Sequence, residues 1–139
     1  MTTTKKSSSI KVLLRHRDRA LEDLEEAKRR YKEARIEAQT ECPHPVSEIF
    51  EGHYPQESDM RPSEFRVCTG CGYAEDGWGC GYSFLGRGNY GSDIKKVSSD
   101  EALKYVRGKV IPNEDHSDVR LGRRTLDSVL RYDNLTTRI

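Results

Sequence analysis

The feature that most constrains this chain is a pair of cysteines two residues apart in a glycine setting, Cys68-Thr69-Gly70-Cys71-Gly72. Two thiolates at that spacing can both face one Zn²⁺ from a tight turn. Glycine beside them permits left-handed backbone and leaves amides free to hydrogen-bond the sulfurs. Redox sites share the spacing, but they open a helix within a βαβ unit. Here Gly72, Tyr73, Gly77 and Gly79 follow, and no helical pattern begins. The other half of a site is expected from Cys42-Pro43-His44, where proline kinks the chain between two donors. Cys42, His44, Cys68 and Cys71 would form a closed, structural Cys₃His site. Cys80 is the alternative fourth ligand. A histidine among the donors, with no third cysteine clustered at the knuckle, favours zinc over an iron–sulfur cluster. The plain alternative is four buried, reduced cysteines without metal.

Composition explains why a staple is needed. Of 139 residues, 34% are hydrophobic and 34% charged, so one large apolar core is not expected. Residues 42–91 hold eight of the eleven aromatics and nine of the eleven glycines but few aliphatics. A unit of that make-up usually depends on metal or disulfides. Alternation around Val46–Glu51, Glu64–Cys68 and Gly81–Leu85 predicts three short antiparallel strands, a zinc-ribbon-like unit. Net charge is +1, divided as +4 over residues 1–40, −5 over 41–91 and +2 over 92–139. The cysteine-bearing segment is the acidic one, which argues against its reading phosphates or bases.

Residues 1–9 read as a disordered lead-in. Residues 10–41 contain neither glycine nor proline and predict a long helix that ends at Cys42-Pro43. Ala20, Leu24, Ala27, Tyr31, Ala34 and Ala38 recur at alternating spacings of four and three, a heptad seam that Leu13 and Arg17 extend upstream. The seam can pack on the C-terminal segment of the same chain, or serve a coiled-coil homodimer or another protein partner. Residues 92–139 predict a helical tail. Ser98 and Glu101 make a capping-box pattern, Gly108 a stop, and Val119 to about Tyr132 a second helix with Gly122 as its weak point. The fold class is α+β.

Other signals are weaker. Trp78 and Tyr82 are candidate partner contacts, alongside Leu24 and Tyr31 on the helix, or else they cap the metal unit with Phe84. Arg15, Arg17 and Arg19 are the nucleic-acid candidates, diluted by eight acidic residues between Asp18 and Glu41. His53 and His116 lack neighbours at ligand spacing. Gly86-Arg87-Gly88-Asn89-Tyr90-Gly91 matches GxGxxG, but no βαβ unit surrounds it. No Walker, HExxH or nucleophile-elbow sequence occurs, and a closed Cys₃His site leaves no position for catalytic water, so catalysis is not expected. No apolar run approaches the ~20 residues of a membrane helix. The N-terminus lacks a signal-peptide pattern, so the chain reads as cytoplasmic.

The order of charged helix, Cys42-Pro43-His44-Pro45 and Cys68-Thr69-Gly70-Cys71-Gly72 resembles small zinc-binding proteins of tailed bacteriophages. In that group a helix or coiled coil leads into a compact zinc-ribbon-like unit. The resemblance spans roughly residues 10–85 and implies the four ligands named above, a bacterial host cytoplasm and no activity. The expectation is a non-catalytic interaction protein that binds and modulates a host protein or virion component. The alternative is a nucleic-acid-associated regulator acting through the basic helix.

Overall fold

The structure, a computed structural model, describes residues 2–54, 64–77, 81–87, 93–112, 119, 121–122 and 124–136, with backbone alone at 2–8 and 133–136. The chain divides into two compact units, Met1–Ala34 and Arg35–Ile139.

The first unit is most of helix α1, Thr2–Glu41. Helix begins ahead of the expected lead-in boundary and runs through a segment with no residue that breaks it. Glu26 pairs with both Arg29 and Arg30, and Lys28 with Glu25, all exposed i,i+3 or i,i+4 pairs. Such pairs each stabilise a helix by only a few tenths of a kcal/mol. Along the seam, Leu13, Leu24 and Tyr31 are 63%, 49% and 56% exposed. Among the described side chains of α1, the buried ones lie in its last turns, where Ile36 and Gln39 are 2% and 0% exposed.

In the second unit a 3₁₀ turn at Val46–Glu48 leads into β1, Ile49–His53. β2 (Glu64–Cys68) and β3 (Ala74–Asp76) follow. Then come β4 (Lys95–Val97), α2 (Ser99–Leu103), β5 (Val110–Ile111) and α3 (Leu126–Thr136). The sheet order is β4-β1-β2-β3-β5. β1, β2 and β3 form an antiparallel meander, and β4 and β5 add parallel to its two edges. The first two expected strands are present, the first starting three residues late. Gly81–Leu85, expected as a strand, is a loop. The outer strands come instead from the segment read as purely helical.

The register places Phe50 opposite Val67, Gly52 opposite Phe65 and Val67 opposite Ala74. On this face Phe65, Val67, Ala74 and Ala102 form one buried cluster, so α2 lies against the sheet. Gly52 makes that approach possible, since a Cβ there would sit 3.0 Å from both Ala102 Cβ and the Phe65 ring. α2 is set by Ser98, whose side chain accepts from Glu101 N–H. It ends at Leu103, short of the expected Gly108, whose φ of +89° turns the chain toward β5.

The opposite face joins Ile49, Cys68 and Ile111 to Ile36, Leu85 and Ile94, and to Leu126, Val129 and Leu130 of α3. Val119 is helical as expected, but the chain turns at Leu121 and Gly122, and α3 begins only at Leu126. Gly122 adopts a φ of +73°, and Thr125 Oγ1 then caps the helix by accepting from Ser128 N–H at 3.1 Å.

That second face also carries a buried charged row. Glu51 pairs with Arg66 and Arg66 with Glu75 in the strand register. All three are at most 5% exposed. Arg66 Nε donates to Glu51 Oε1 at 3.1 Å, and its Nη1 donates to the carbonyls of Leu85 and Gly86. The Glu75 carboxylate accepts from the N–H groups of Ser83, Phe84 and Leu85 at 3.2, 2.8 and 2.6 Å. Burial pushes the Glu75 carboxyl above the usual carboxylate range, against the pull of those donors and of Arg66. The loop over residues 82–86 is thus fastened to the sheet by charge-assisted hydrogen bonds rather than by strand pairing.

Candidate metal centre

Four donors converge where α1 ends and β2 ends. Cys42 is the first residue beyond α1, its N–H still bonded to Ala38 C=O at 3.0 Å. Pro43 stops the helix, and His44 takes a φ of +48°, a left-handed conformation that costs a non-glycine residue about 1–2 kcal/mol. That turn sends the imidazole back toward the cysteines. Pro45 then starts the 3₁₀ turn into β1.

Cys68 closes β2, and the knuckle turns immediately after it. Gly72 N–H bonds Cys68 C=O at 2.7 Å, and Cys68 N–H bonds Tyr73 C=O at 2.9 Å. Thr69 ties the turn to Glu48 through its N–H and its hydroxyl, both donating to Glu48 C=O at 2.8 Å. Gly72 has a φ of +82°, and a Cβ there would lie 2.6 Å from Arg107 Cβ. Glycine is therefore required twice over at this position, by conformation and by space.

The ligand atoms of Cys42, His44, Cys68 and Cys71 all lie within 4.8 Å of one another. Cys42 Sγ is 3.8 Å from Cys68 Sγ, and Cys71 Sγ is 3.4 Å from His44 Nδ1. Cys68 is buried, and the other three donors are half-buried. Tyr73 N–H points at Cys71 Sγ from 3.5 Å, and the N–H groups of Gly70 and Cys71 face the Cys68 sulfur. A hydrogen bond from the Cys71 thiol holds Cys68 far below the ordinary thiol range. The same bond, with burial, pushes Cys71 up. A divalent ion would let every sulfur ionise.

The surrounding residues hold the donors still. Gln39 Nε2 donates to Arg107 C=O at 2.9 Å and to Cys71 C=O at 3.3 Å, while its Oε1 accepts from Arg35 Nη1 at 3.1 Å. The last turns of α1 are thereby latched to the knuckle and to the irregular segment that precedes β5. Tyr73 lies 5.7 Å, ring to ring, from His44 and stacks edge-on with Phe84.

The four residues expected from spacing are those brought together, a set compatible with a metal site. Cys80 and Trp78 lie outside the described residues. Tyr82, expected as a partner contact, is only 4% exposed, with the Arg66 guanidinium 4.0 Å over its ring. It offers no contact surface because the buried charged row draws its loop down onto the sheet. Phe84 packs against the core beside the site. Leu24 and Tyr31 are exposed, as are Arg15, Arg17 and Arg19, with Arg17 paired to Asp18. His53 does gain neighbours, Glu51 and Glu64, although Glu51 is already held by Arg66. His116 lies outside the described residues.

Sequence reasoning missed Gln39, Arg66 and Glu75. For Arg66 the one signal was a basic residue set between Phe65 and Val67 in an expected strand, and Glu75, beside Asp76, carried none. Gln39 carried only its i,i+4 spacing from Arg35.

Among the described residues, no helix is long and apolar enough to cross a membrane. The chain matches no protein-family model, and no curated protein or solved structure is significantly similar to it.

Proposed function

We propose that this chain is a non-catalytic zinc-binding interaction protein, in which Cys42, His44, Cys68 and Cys71 hold a structural Zn²⁺ and α1 supplies the contact surface. The observation that carries the reading is the convergence of three sulfurs and one imidazole nitrogen, within 4.8 Å, from two separate turns. Three soft donors and an imidazole suit zinc better than the oxygen-seeking magnesium or calcium. The two turns joined to the β1–β2 hairpin support a zinc-ribbon-like description. Zinc would neutralise the ionised thiolates and tie the end of α1 to the sheet. Four protein donors would complete a tetrahedral shell, which supports a structural role over a catalytic one. The resemblance to phage zinc proteins favours a viral factor that modulates a host protein.

The contact surface is α1, because its apolar seam is exposed while Tyr82 is buried and Phe84 is half-buried. The test uses the full zinc-loaded chain as bait in a bacterial lysate, beside a variant carrying Leu24→Glu and Tyr31→Glu. The reading expects a protein retained by the first bait and lost by the second. Retention that is indifferent to the seam contradicts it. The exposed Arg15, Arg17 and Arg19 favour a second reading, association with nucleic acid. Duplex DNA shifted at low salt and released steeply by physiological salt would support it.

A further inference from the structure

We infer that α1 pairs with α1 of a second copy of this chain, antiparallel, with Leu24 of each packed against Ala27 of the other. The inference rests on the reading of α1 as the contact surface and makes a second copy the occupant of its seam, so that a host protein would be met by the dimer. The seam places Arg17, Leu24 and Tyr31 at one core position of successive heptads and Ala20, Ala27 and Ala34 at the other. In the structure Leu24 and Tyr31 are about half exposed, and residues 17, 20, 27 and 34 are also exposed.

The size pattern selects the direction. In a parallel pair each core position meets itself. Arg17 would face the second copy's Arg17 and Tyr31 its Tyr31, while three alanine layers would leave voids. Antiparallel pairing instead sets each large residue on a small one. Leu24 meets Ala27, Tyr31 meets Ala20, and Arg17 lays its stem over Ala34. Interdigitated large and small residues fill such a seam without gaps.

Charge selects the same register. In that alignment the flanking positions bring Asp23 opposite Arg30 of the second copy, and the symmetry repeats the pair. His16 comes opposite Glu37, and Leu21 lies beside the stem of Lys28. None of these flanking pairs is like-charged. The parallel register would oppose Arg30 to Arg35. Arg30 and Asp23 are both exposed on α1, and the exposed bond from Arg30 to Glu26 is of the weak kind that rearranges freely.

The test is sedimentation equilibrium of the full zinc-loaded chain from about 1 µM to about 1 mM, the range in which modest affinities register. The inference expects a monomer–dimer equilibrium. Arg30→Asp should weaken it by about tenfold or more, and the double variant D23R/R30D should restore it to within about threefold, since the swapped charges again face each other. A chain that stays monomeric throughout, or one whose dimer is tightened by Arg30→Asp as the parallel register requires, overturns the inference. Zinc content of each sample separates this outcome from failure of the metal reading. A monomer with stoichiometric zinc removes only the pairing.

Discussion

Cys71 and Glu75 hold different parts of the second unit, so their loss should have distinct consequences. Cys71→Ser removes one of four donors, so the purified variant should carry far less zinc than the parent, as read by elemental analysis. Glu75→Gln keeps the shape of the side chain but turns one carboxylate oxygen into an amide nitrogen facing a backbone N–H. One of three buried hydrogen bonds is lost and Arg66 loses a counter-charge. The zinc-loaded variant should be less stable by about 2–4 kcal/mol in denaturant unfolding, with metal content unchanged. An equal loss of zinc would contradict the separation between the charged row and the metal centre. The cluster of Cys42, His44, Cys68 and Cys71 was legible in sequence because metal-binding chemistry demands a spacing and a turn residue between donors. The charged row was not, since pairing Glu51, Arg66 and Glu75 depends on strand register, which no local pattern encodes.

Among elements, α1 was the most legible, because a long run without glycine or proline needs no tertiary contact to be recognised. What it packs against was not, because the heptad seam and the buried residues lie on different faces. Ile36 and Gln39 are buried, whereas Leu24 and Tyr31 are exposed. That division predicts unequal costs in dilute solution. Ile36→Ala should destabilise the second unit by about 2–4 kcal/mol, while Leu24→Ala should change it by less than about 0.5 kcal/mol, both read from denaturant midpoints. Comparable losses would mean the seam is covered within the chain. The β1–β2 hairpin was legible from alternation. β4 and β5 were not, since strands of three and two residues are too short to show a period. Gly81–Leu85 alternates like a strand yet is a loop, because Arg66 and Glu75 satisfy its backbone groups in place of a neighbouring strand.

For the whole molecule, the second unit gathers two small apolar clusters around one short sheet, and the donors sit where the end of α1, β2 and the knuckle meet. A core of this size gains much from a single ion that joins elements distant in sequence. Gly72→Ala tests that junction without touching a donor. Its strained φ and the crowding of Arg107 should cost at least about 1 kcal/mol and lower zinc affinity with it, as measured by competition with a chelator. Composition made the small apolar core readable, and the topology that brings the four clustered residues together became visible only in three dimensions. The most direct check of the central claim is zinc stoichiometry of the purified full-length chain, measured together with amide protection before and after chelation. One zinc per chain is expected, with protection over β1, β2, β3 and α2 collapsing when the ion is withdrawn. A metal-free chain with those elements equally protected would contradict that claim.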